Sequence, residues 1–309
     1  MKDSFLQHFQ NAQIQYEKVG RNTIAYRKFG SGPVLLMVHG WPLSGVTYRY
    51  LIPTLEKHFT CIVPDSPGLG ETLWEDTSDL KFPVQANTFK LFMQQLMIGK
   101  YHILAHDTGA TIARILASKQ PKAVLSMVIL NTEIMNQRPS PVPLYQTLFK
   151  LPGSSWVFKQ LLKSKVYVKS PLGLAGCFYD KALINDEFQH LYLDPIIKDK
   201  QRLNGVLSYL DAIDWDLVDS LDEIHKKIVA PIQFIWGTKD PFFPIEDARN
   251  LIGLSPKCNG MVEIEDAALM VYEEKPEDVL DAALAFWKQQ GFLNANTHEE
   301  SILKEAVQV

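Results

Sequence analysis

Cysteine is scarce in this chain, and its three cysteines show no functional grouping. Cys61, Cys177 and Cys258 are widely spaced, and no CxxC pair occurs among the 309 residues. This usage argues against a disulfide framework and against a zinc site. It predicts buried free thiols in a reducing compartment.

Long apolar runs and an excess of basic residues are also missing. No stretch approaches the roughly 20 apolar residues that a membrane helix needs, and residues 1–8 lack the apolar run of a secretion signal. The 31 Lys and Arg residues against 35 Asp and Glu residues give a net charge of −4, so no basic field indicates nucleic-acid binding. We therefore expect a cytoplasmic monomer or homodimer that binds neither nucleic acid nor a membrane.

The shorter apolar runs that are present predict the fold class. Two alternating stretches, residues 14–19 and 22–29, flank Gly20 and predict an antiparallel hairpin. Helical periodicity in residues 84–98 and 108–119 separates apolar runs of the buried, parallel-strand type. The alternation predicts an α/β fold, with a mostly parallel eight-stranded sheet flanked by helices. The six runs predicted as the remaining strands are residues 34–38, 61–63, 102–105, 126–130, 232–236 and 261–264.

A long insertion interrupts this alternation. About a hundred residues separate the strands predicted at 126–130 and 232–236, and they are mostly helical in pattern and rich in aromatic residues. We interpret residues 134–220 as a helical cap over the carboxyl ends of the strands, where such sheets bind ligands. Residues 1–133 and 221–309 then form the core. The polar tail from residue 294 is either partly disordered or a final helix.

Asp107 is the leading candidate for catalysis. It lies in the sequence YHILAHDTGA, residues 101–110, where an apolar strand passes through small residues directly into a helix. This pattern is typical of a nucleophile elbow, a tight turn that presents one reactive side chain above a parallel sheet. An Asp there can attack a saturated carbon and form an ester. Asp107 could instead cap the helix, but a cap does not require the small Ala105 and Gly109 beside it.

A second motif follows the strand at residues 34–38. In His39-Gly40-Trp41-Pro42 the backbone can bend over the sheet edge, so that the N–H groups of Trp41 and Thr108 form an oxyanion hole. We expect the Trp41 ring to line the pocket. His39 is tempting as a base, but a histidine hydrogen-bonded beneath the loop is the favoured interpretation. His106 is likewise expected to pack beneath the elbow.

A second carboxylate is predicted at the same edge of the sheet. The strand at 232–236 continues into Gly237-x-x-Asp240-Pro241, so Asp240 follows a strand end as Asp107 does. The usual role of such a carboxylate is to orient a histidine as the third member of a triad. A cap for the helix beginning at Ile245 is the alternative.

Four motifs in this order make the sequence similar to the α/β-hydrolase superfamily. They are HGWP at 39–42, DSPGLG at 65–70, HDTGA at 106–110 and WGTKDP at 236–241, and the resemblance extends over residues 14–291. The branch that the chain resembles comprises the soluble epoxide hydrolases and haloalkane dehalogenases.

The resemblance implies an alkyl ester on Asp107, an orienting role for Asp240 and no organic or metal cofactor. It also implies two cap tyrosines that donate protons to an epoxide oxygen. Thr108 departs from the tryptophan that family members usually carry there, which alters one wall of the pocket. The tyrosines of the predicted cap are Tyr145, Tyr167, Tyr179, Tyr192 and Tyr209.

A second departure concerns the histidine base. Residues 262–276 match the histidine loop of the family on both sides, but Ala268-Leu269 stand where that loop normally reads Gly-His. The only later histidine, His298, lies in the polar tail, and His225 precedes the Asp240 strand. Leucine cannot accept a proton, so the usual route for hydrolysing an ester on the nucleophile is lost.

Several functions remain compatible with this pattern. A surrogate base, either Asp240 or Glu133, would allow a hydrolase that acts on a small apolar electrophile through an Asp107 ester. Without such a base, the chain would be a non-catalytic protein that binds a hydrophobic small molecule or a protein partner. Isomerase or lyase chemistry in the same pocket is a third possibility.

Overall fold

The computed structural model describes residues 2–139 and 141–293, without the side chains of residues 2 and 3. The tail from residue 294, including His298, lies outside the described residues, so the prediction of disorder or a final helix there stays a prediction.

An eight-stranded sheet forms the centre of the molecule, in the order β1-β2-β4-β3-β5-β6-β7-β8. β1 and β2 form the predicted antiparallel hairpin, β2 also runs antiparallel to β4, and all further pairs are parallel. The predicted mostly parallel sheet is thus confirmed. The strands are β1 Gln15–Val19, β2 Asn22–Phe29, β3 Val34–Val38, β4 Thr60–Pro64, β5 Tyr101–His106, β6 Val124–Leu130, β7 Ile232–Gly237 and β8 Cys258–Ile264.

Helices flank both faces of this sheet. α3 and α4 pack on each other, whereas α15 packs against β7 and β8. The central strands β4, β5 and β7 are buried throughout, which explains their continuous apolar sequences. The helices are α1 Lys2–Asn11, α2 Ile52–Leu55, α3 Phe82–Gln95, α4 Asp107–Lys119, α5 Pro141–Leu148, α6 Ser154–Lys163, α7 Lys165–Val168, α8 Asp186–Phe188, α9 Asp194–Lys198, α10 Lys200–Asp211, α11 Trp215–Asp219, α12 Leu221–His225, α13 Ile245–Ala248, α14 Val271–Glu274 and α15 Pro276–Gln289.

The segment between β6 and β7 is helical and reaches the carboxyl ends of the strands. The Trp41 indole N–H, in the loop after β3, donates to the Val206 carbonyl of α10 at 2.9 Å. The hydroxyl of Tyr209, also in α10, donates to Thr108 Oγ1 at 3.1 Å. The division into a core and a cap at residues 134–220 stays our interpretation of this arrangement.

No helix among the described residues is long and apolar enough to cross a membrane.

Candidate active site

The elbow at Asp107 is held in an unfavourable backbone conformation by the neighbouring strand. β5 ends at His106, α4 begins at Asp107, and the φ angle of Asp107 is +51°. A side chain is disfavoured in this left-handed region, so neighbouring groups must fix it. The Asp107 N–H donates to the Asn131 carbonyl at 2.8 Å, and the Thr132 hydroxyl donates to the Asp107 carbonyl at 2.9 Å.

Two glycines allow the loop after β3 to approach this elbow. A Cβ atom at Gly109 would lie 2.3 Å from the His39 carbonyl oxygen, and one at Gly40 would lie 2.4 Å from Asp107 Oδ2. Atoms cannot approach so closely without movement of the backbone. The small residue after the elbow is therefore a steric requirement, and Gly40 is a second one that we did not identify from the sequence.

The Trp41 backbone N–H points at the carboxylate of Asp107. It lies 3.0 Å from Asp107 Oδ2 and 3.0 Å from Thr108 Oγ1, so one donor is shared between two acceptors. Donors in this position can support an oxygen that carries negative charge. The role of Trp41 and Thr108 as an oxyanion hole stays a prediction.

A small apolar cavity lies above Asp107. Its volume is about 100 Å³, less than the roughly 150 Å³ of an apolar cavity that holds benzene. Among the described residues that line it, Asp107 and Glu133 are the only carboxylates. Its walls include Trp41, Pro42, Leu43, His106, Thr108, Pro139, Val142, Tyr145, Leu174, Cys177, Phe188, Ile213, Trp215, Phe242, Phe243, Leu269 and Met270.

Burial raises the pKa of Asp107 well above its ordinary range. Loss of solvation is the largest cause, and the charge of Glu133 acts in the same direction. Hydrogen bonds from the backbone N–H groups of Thr108 and Trp41 oppose the shift. The carboxyl group is thus less ionised at neutral pH than an exposed aspartate would be.

Asp240 lies near Asp107 but does not line the cavity. Its Oδ1 accepts the N–H groups of Phe242 and Phe243 at 2.9 and 3.2 Å, and its Oδ2 accepts Asn131 Nδ2 at 2.7 Å. No histidine among the described residues bonds to it. Burial raises the pKa of Asp240 to about 7. Its carboxylate is therefore satisfied without an imidazole partner.

Asn131 is a site residue that sequence reasoning missed. Its side chain donates to Asp240 and accepts the Gly237 N–H at 2.9 Å, which joins the ends of β6 and β7. Its position in the sequence could have identified it, because this asparagine directly follows the apolar run of β6 and so lies at the same sheet edge as the elbow.

Leu269 occupies a buried position in the cavity wall. Its backbone carbonyl accepts the Nε2–H of His106 at 2.9 Å, whereas its side chain supplies only hydrocarbon. The other ring nitrogen of His106 accepts the Tyr272 hydroxyl at 3.2 Å. Burial lowers the pKa of His106 to about 3, so this histidine is neutral at neutral pH, with both ring nitrogens hydrogen-bonded.

His39 is not placed to bind a ligand, which corrects that possible assignment. It is completely buried away from the cavity. Its Nδ1–H donates to the Gly40 carbonyl at 2.9 Å, and its Nε2 accepts the Ser66 N–H at 3.0 Å. His39 is thus the structural anchor beneath the loop that the sequence favoured.

Of the five candidate tyrosines, only Tyr145 lines the cavity. Its hydroxyl donates to the Leu172 carbonyl and accepts the hydroxyl of Tyr167. The other candidates for ligand contact, Tyr179, Tyr192 and Tyr209, do not line this cavity. Tyr209 bonds to Thr108 behind the elbow, Tyr192 donates to Glu273 at 2.7 Å, and Tyr179 is half exposed outside the cavity.

Glu133 brings a second buried carboxylate to the cavity. Its Oε2 accepts the Thr111 hydroxyl at 2.6 Å and lies 3.9 Å from the guanidinium of Arg114. Its Oε1 has no hydrogen bond among the described residues, and Glu133 lines the cavity wall. Burial lowers the pKa of Arg114 to about 10, which leaves it charged at neutral pH as the counter-ion of this region.

Comparisons with known proteins agree with the fold. Residues 33–166 match the family model for the alpha/beta hydrolase fold. The chain is 26% identical over 270 residues to the soluble epoxide hydrolase of Corynebacterium sp. (strain C12), which covers 85% of this chain and 92% of that protein. It is 30% identical over 159 residues to the haloalkane dehalogenase of Mesorhizobium japonicum, covering 49% and 50% of the two chains.

A solved structure gives the same result. The haloalkane dehalogenase DbeA from Bradyrhizobium elkani USDA94 has a TM-score of 0.72 and 20% identity, with 90% of this chain and 97% of that chain covered. Together with the sheet order, these likenesses show that the chain has the α/β-hydrolase fold that the motifs indicated. The family-model match ends at residue 166, before Asp240 and Leu269.

The raised pKa of Asp240 predicts a pH-dependent stability. Its folded-state pKa is about 7, whereas an aspartate in an unfolded chain has a pKa of about 3.9. Between these values the folded chain keeps a proton that the unfolded chain has released, so stability falls as pH rises. An asparagine at position 240 cannot titrate in this way. We therefore expect the free energy of unfolding of the Asp240→Asn variant to fall less with rising pH than that of the parent, by about 1.4 kcal/mol per pH unit.

Urea unfolding of the parent and the variant at about pH 5 and about pH 7 measures this difference. Because the comparison uses slopes, a constant loss of stability in the variant does not affect it. Equal slopes for the two proteins would contradict the shift.

Proposed function

We propose that this chain is a hydrolase that attacks a small apolar electrophile with Asp107. The observation that carries the proposal is the position of the Asp107 carboxylate, which lies at an apolar cavity with Oδ2 against the Trp41 N–H. An epoxide or a haloalkane is the substrate class that suits a carboxylate nucleophile in such surroundings. The name of the Corynebacterium relative, a soluble epoxide hydrolase, agrees with this assignment.

In the first step Asp107 Oδ1 attacks a saturated carbon. The carbon–oxygen bond of an epoxide or the carbon–halogen bond of a haloalkane breaks, and an ester forms on Asp107. The N–H groups of Trp41 and Thr108 then hold the ester carbonyl oxygen. A halide leaves as an anion, whereas an epoxide oxygen needs a proton. Tyr145 is the candidate donor because it is the cap tyrosine that lines the cavity among the described residues, and its hydroxyl would exchange its bond to the Leu172 carbonyl for the epoxide oxygen.

In the second step water must attack the ester carbonyl, and a base must accept its proton. Leu269 cannot do so. Glu133 is the better surrogate than Asp240, because Glu133 lines the cavity with Oε1 free of hydrogen bonds. Asp240 has both oxygens occupied and does not line it. As the adduct collapses, its remaining water proton passes to the departing alcohol oxygen, and Asp107 is regenerated as a carboxylate with one oxygen from the water. The proton on Glu133 then returns to the Tyr145 phenolate in the epoxide reaction or to solvent in the haloalkane reaction.

The size of the cavity limits the substrate. At about 100 Å³ it admits a group no larger than a small ring or a short chain next to Asp107. Its wall is mostly hydrocarbon, so charged or strongly hydrated groups would lose solvation there.

A binding protein without turnover is the second candidate. It is favoured by the raised pKa of Asp107, because a protonated carboxyl does not attack carbon, and by the hydrocarbon side chain of Leu269. Such a protein would hold a small hydrophobic molecule in the same cavity.

We expect incubation with small epoxides and haloalkanes to add the mass of the alkyl group to one residue, Asp107. Intact-mass spectrometry followed by peptide mapping locates it. Only the ionised carboxyl attacks, so the rate of addition should continue to rise with pH far above the ordinary aspartate pKa of about 4. Asp107→Asn is the matched control and should gain no mass. Release of product by the parent without any detectable ester would mean that the second step is fast, and no reaction with any compound would favour the binding protein.

Glu133→Gln should prolong the lifetime of the ester. Gln keeps an acceptor for Thr111 but cannot take the proton of water, so we expect decay to slow by about a hundredfold. The measurement is the loss of the ester mass with time after excess substrate is removed. Asp240→Asn is the comparison and should change decay much less. If Asp240→Asn slows decay and Glu133→Gln does not, the assignment of the base is reversed.

Leu269→His should restore a base in the cavity wall. We expect the ester to decay at least about tenfold faster than in the parent, because an imidazole near neutral pKa accepts a proton from water. The Leu269→Asn variant is the control for added polarity, because asparagine is polar, as histidine is, but cannot act as a base. Equal acceleration by both variants would show that solvent entry, and not a base, limits the parent.

A further inference from the structure

Helices α5, α6 and α7 and the turn between α5 and α6 carry exposed apolar side chains within residues 144–166, here called the cap face. Their exposed fractions range from 41% at Leu148 through 66% at Trp156 to 84% at Val166. Large apolar residues exposed singly are common, but a group within one short stretch indicates an interaction surface. The members of this group are Leu144, Leu148, Leu151, Trp156, Val157 and Val166.

The same stretch has charge of one sign. Residues 134–179 contain no Asp or Glu, although the whole chain has a net charge of −4. Lys159 and Lys163 form no ion pair among the described residues, whereas the charge of Lys169 acts on the nearby carboxylate of Asp186. The other two lysines of the stretch, Lys150 and Lys165, have single exposed partners, a kind of pair that is weak in water.

Helix α6 shows how apolar and basic groups share this face. Phe158 and Leu162 are buried, and the Phe158 ring packs on Phe149 with 4.7 Å between centroids. At about 100° per residue, Trp156 and Lys163 lie on the side of α6 away from Phe158. The exposed side of α6 therefore carries both an aromatic ring and a lysine, about two helical turns apart.

We propose that the cap face docks on the surface of an anionic lipid bilayer. Trp with aliphatic side chains suits the boundary between headgroups and acyl chains, and unpaired lysines suit acidic headgroups. An acidic protein would satisfy the lysines but would leave Trp156 and Val166 without an apolar partner. Such docking requires no spanning helix, so it is compatible with the helix lengths found here, and it revises our expectation that the chain binds no membrane.

Docking would place the cavity wall next to the bilayer. Helix α5 lines the cavity with Val142 and Tyr145 and exposes Leu144 and Leu148 on the cap face. An apolar ligand dissolved in the bilayer would then lie close to the cavity. The proposal itself concerns only the surface and does not depend on the reaction of Asp107.

Sedimentation of the full chain with large unilamellar vesicles tests this. The vesicles contain phosphatidylcholine alone or phosphatidylcholine with about 30% phosphatidylserine, at low salt and at about 0.5 M salt. We expect binding to the anionic vesicles at low salt, loss of most of it at high salt, and a blue shift of tryptophan emission that is absent in Trp156→Phe.

Variants of the cap face locate the contact. Lys159→Gln with Lys163→Gln should weaken binding about tenfold, and Trp156→Ser should do so to a similar extent. The matched control is Lys119→Gln with Lys122→Gln, which removes the same charge from exposed positions at and just beyond the end of α4 remote from the elbow, and it should bind like the parent.

Three outcomes would overturn the proposal. The first is no binding to anionic vesicles at low salt, and the second is binding that the cap-face variants and the control reduce equally. The third is binding to soluble polyglutamate as tight as to vesicles, without a Trp156 emission shift, which would assign the face to an acidic polypeptide.

Discussion

The close approach of the loop after β3 to the elbow is the contact on which the site depends. It requires glycine at positions 40 and 109, because a side chain at either would overlap the Asp107 carboxylate or the His39 carbonyl. It brings the Trp41 N–H to the Asp107 carboxylate and removes that carboxylate from water in the same step. The same arrangement has two opposing effects on the Asp107 carboxylate. The N–H donors stabilise its negative charge, whereas burial disfavours that charge.

Polar partners compensate for the burial of Glu133 and Asp240, so these carboxyl groups need no imidazole beside them. Arg114 is close to Glu133, whereas Asp240 is held by Asn131 and two backbone N–H groups. Buried charges of this kind persist when each has a partner with good geometry. Leu269 can therefore occupy the cavity wall without leaving a bare carboxylate behind.

One helix of the segment between β6 and β7 lies between the cavity and the outside of the molecule. Helix α5 contributes to the cavity on one side and to the exposed apolar face on the other. A two-sided helix of this kind has no fully buried residue, and α5 has none. The surface that a partner would contact and the wall that a ligand would contact are consequently two sides of the same helix.

The amino-acid pattern was enough to predict the sheet and the tight turn at Asp107. Apolar runs of fixed length define buried strands, and the small residues around Asp107 mark a turn that no larger side chain permits. Tertiary structure alone decided which polar groups face the cavity. Glu133 rather than Asp240 lines it, and Tyr145 lines it whereas Tyr209 bonds to Thr108, because side-chain direction at the strand ends and in the cap is set by partners distant in sequence, such as Asn131.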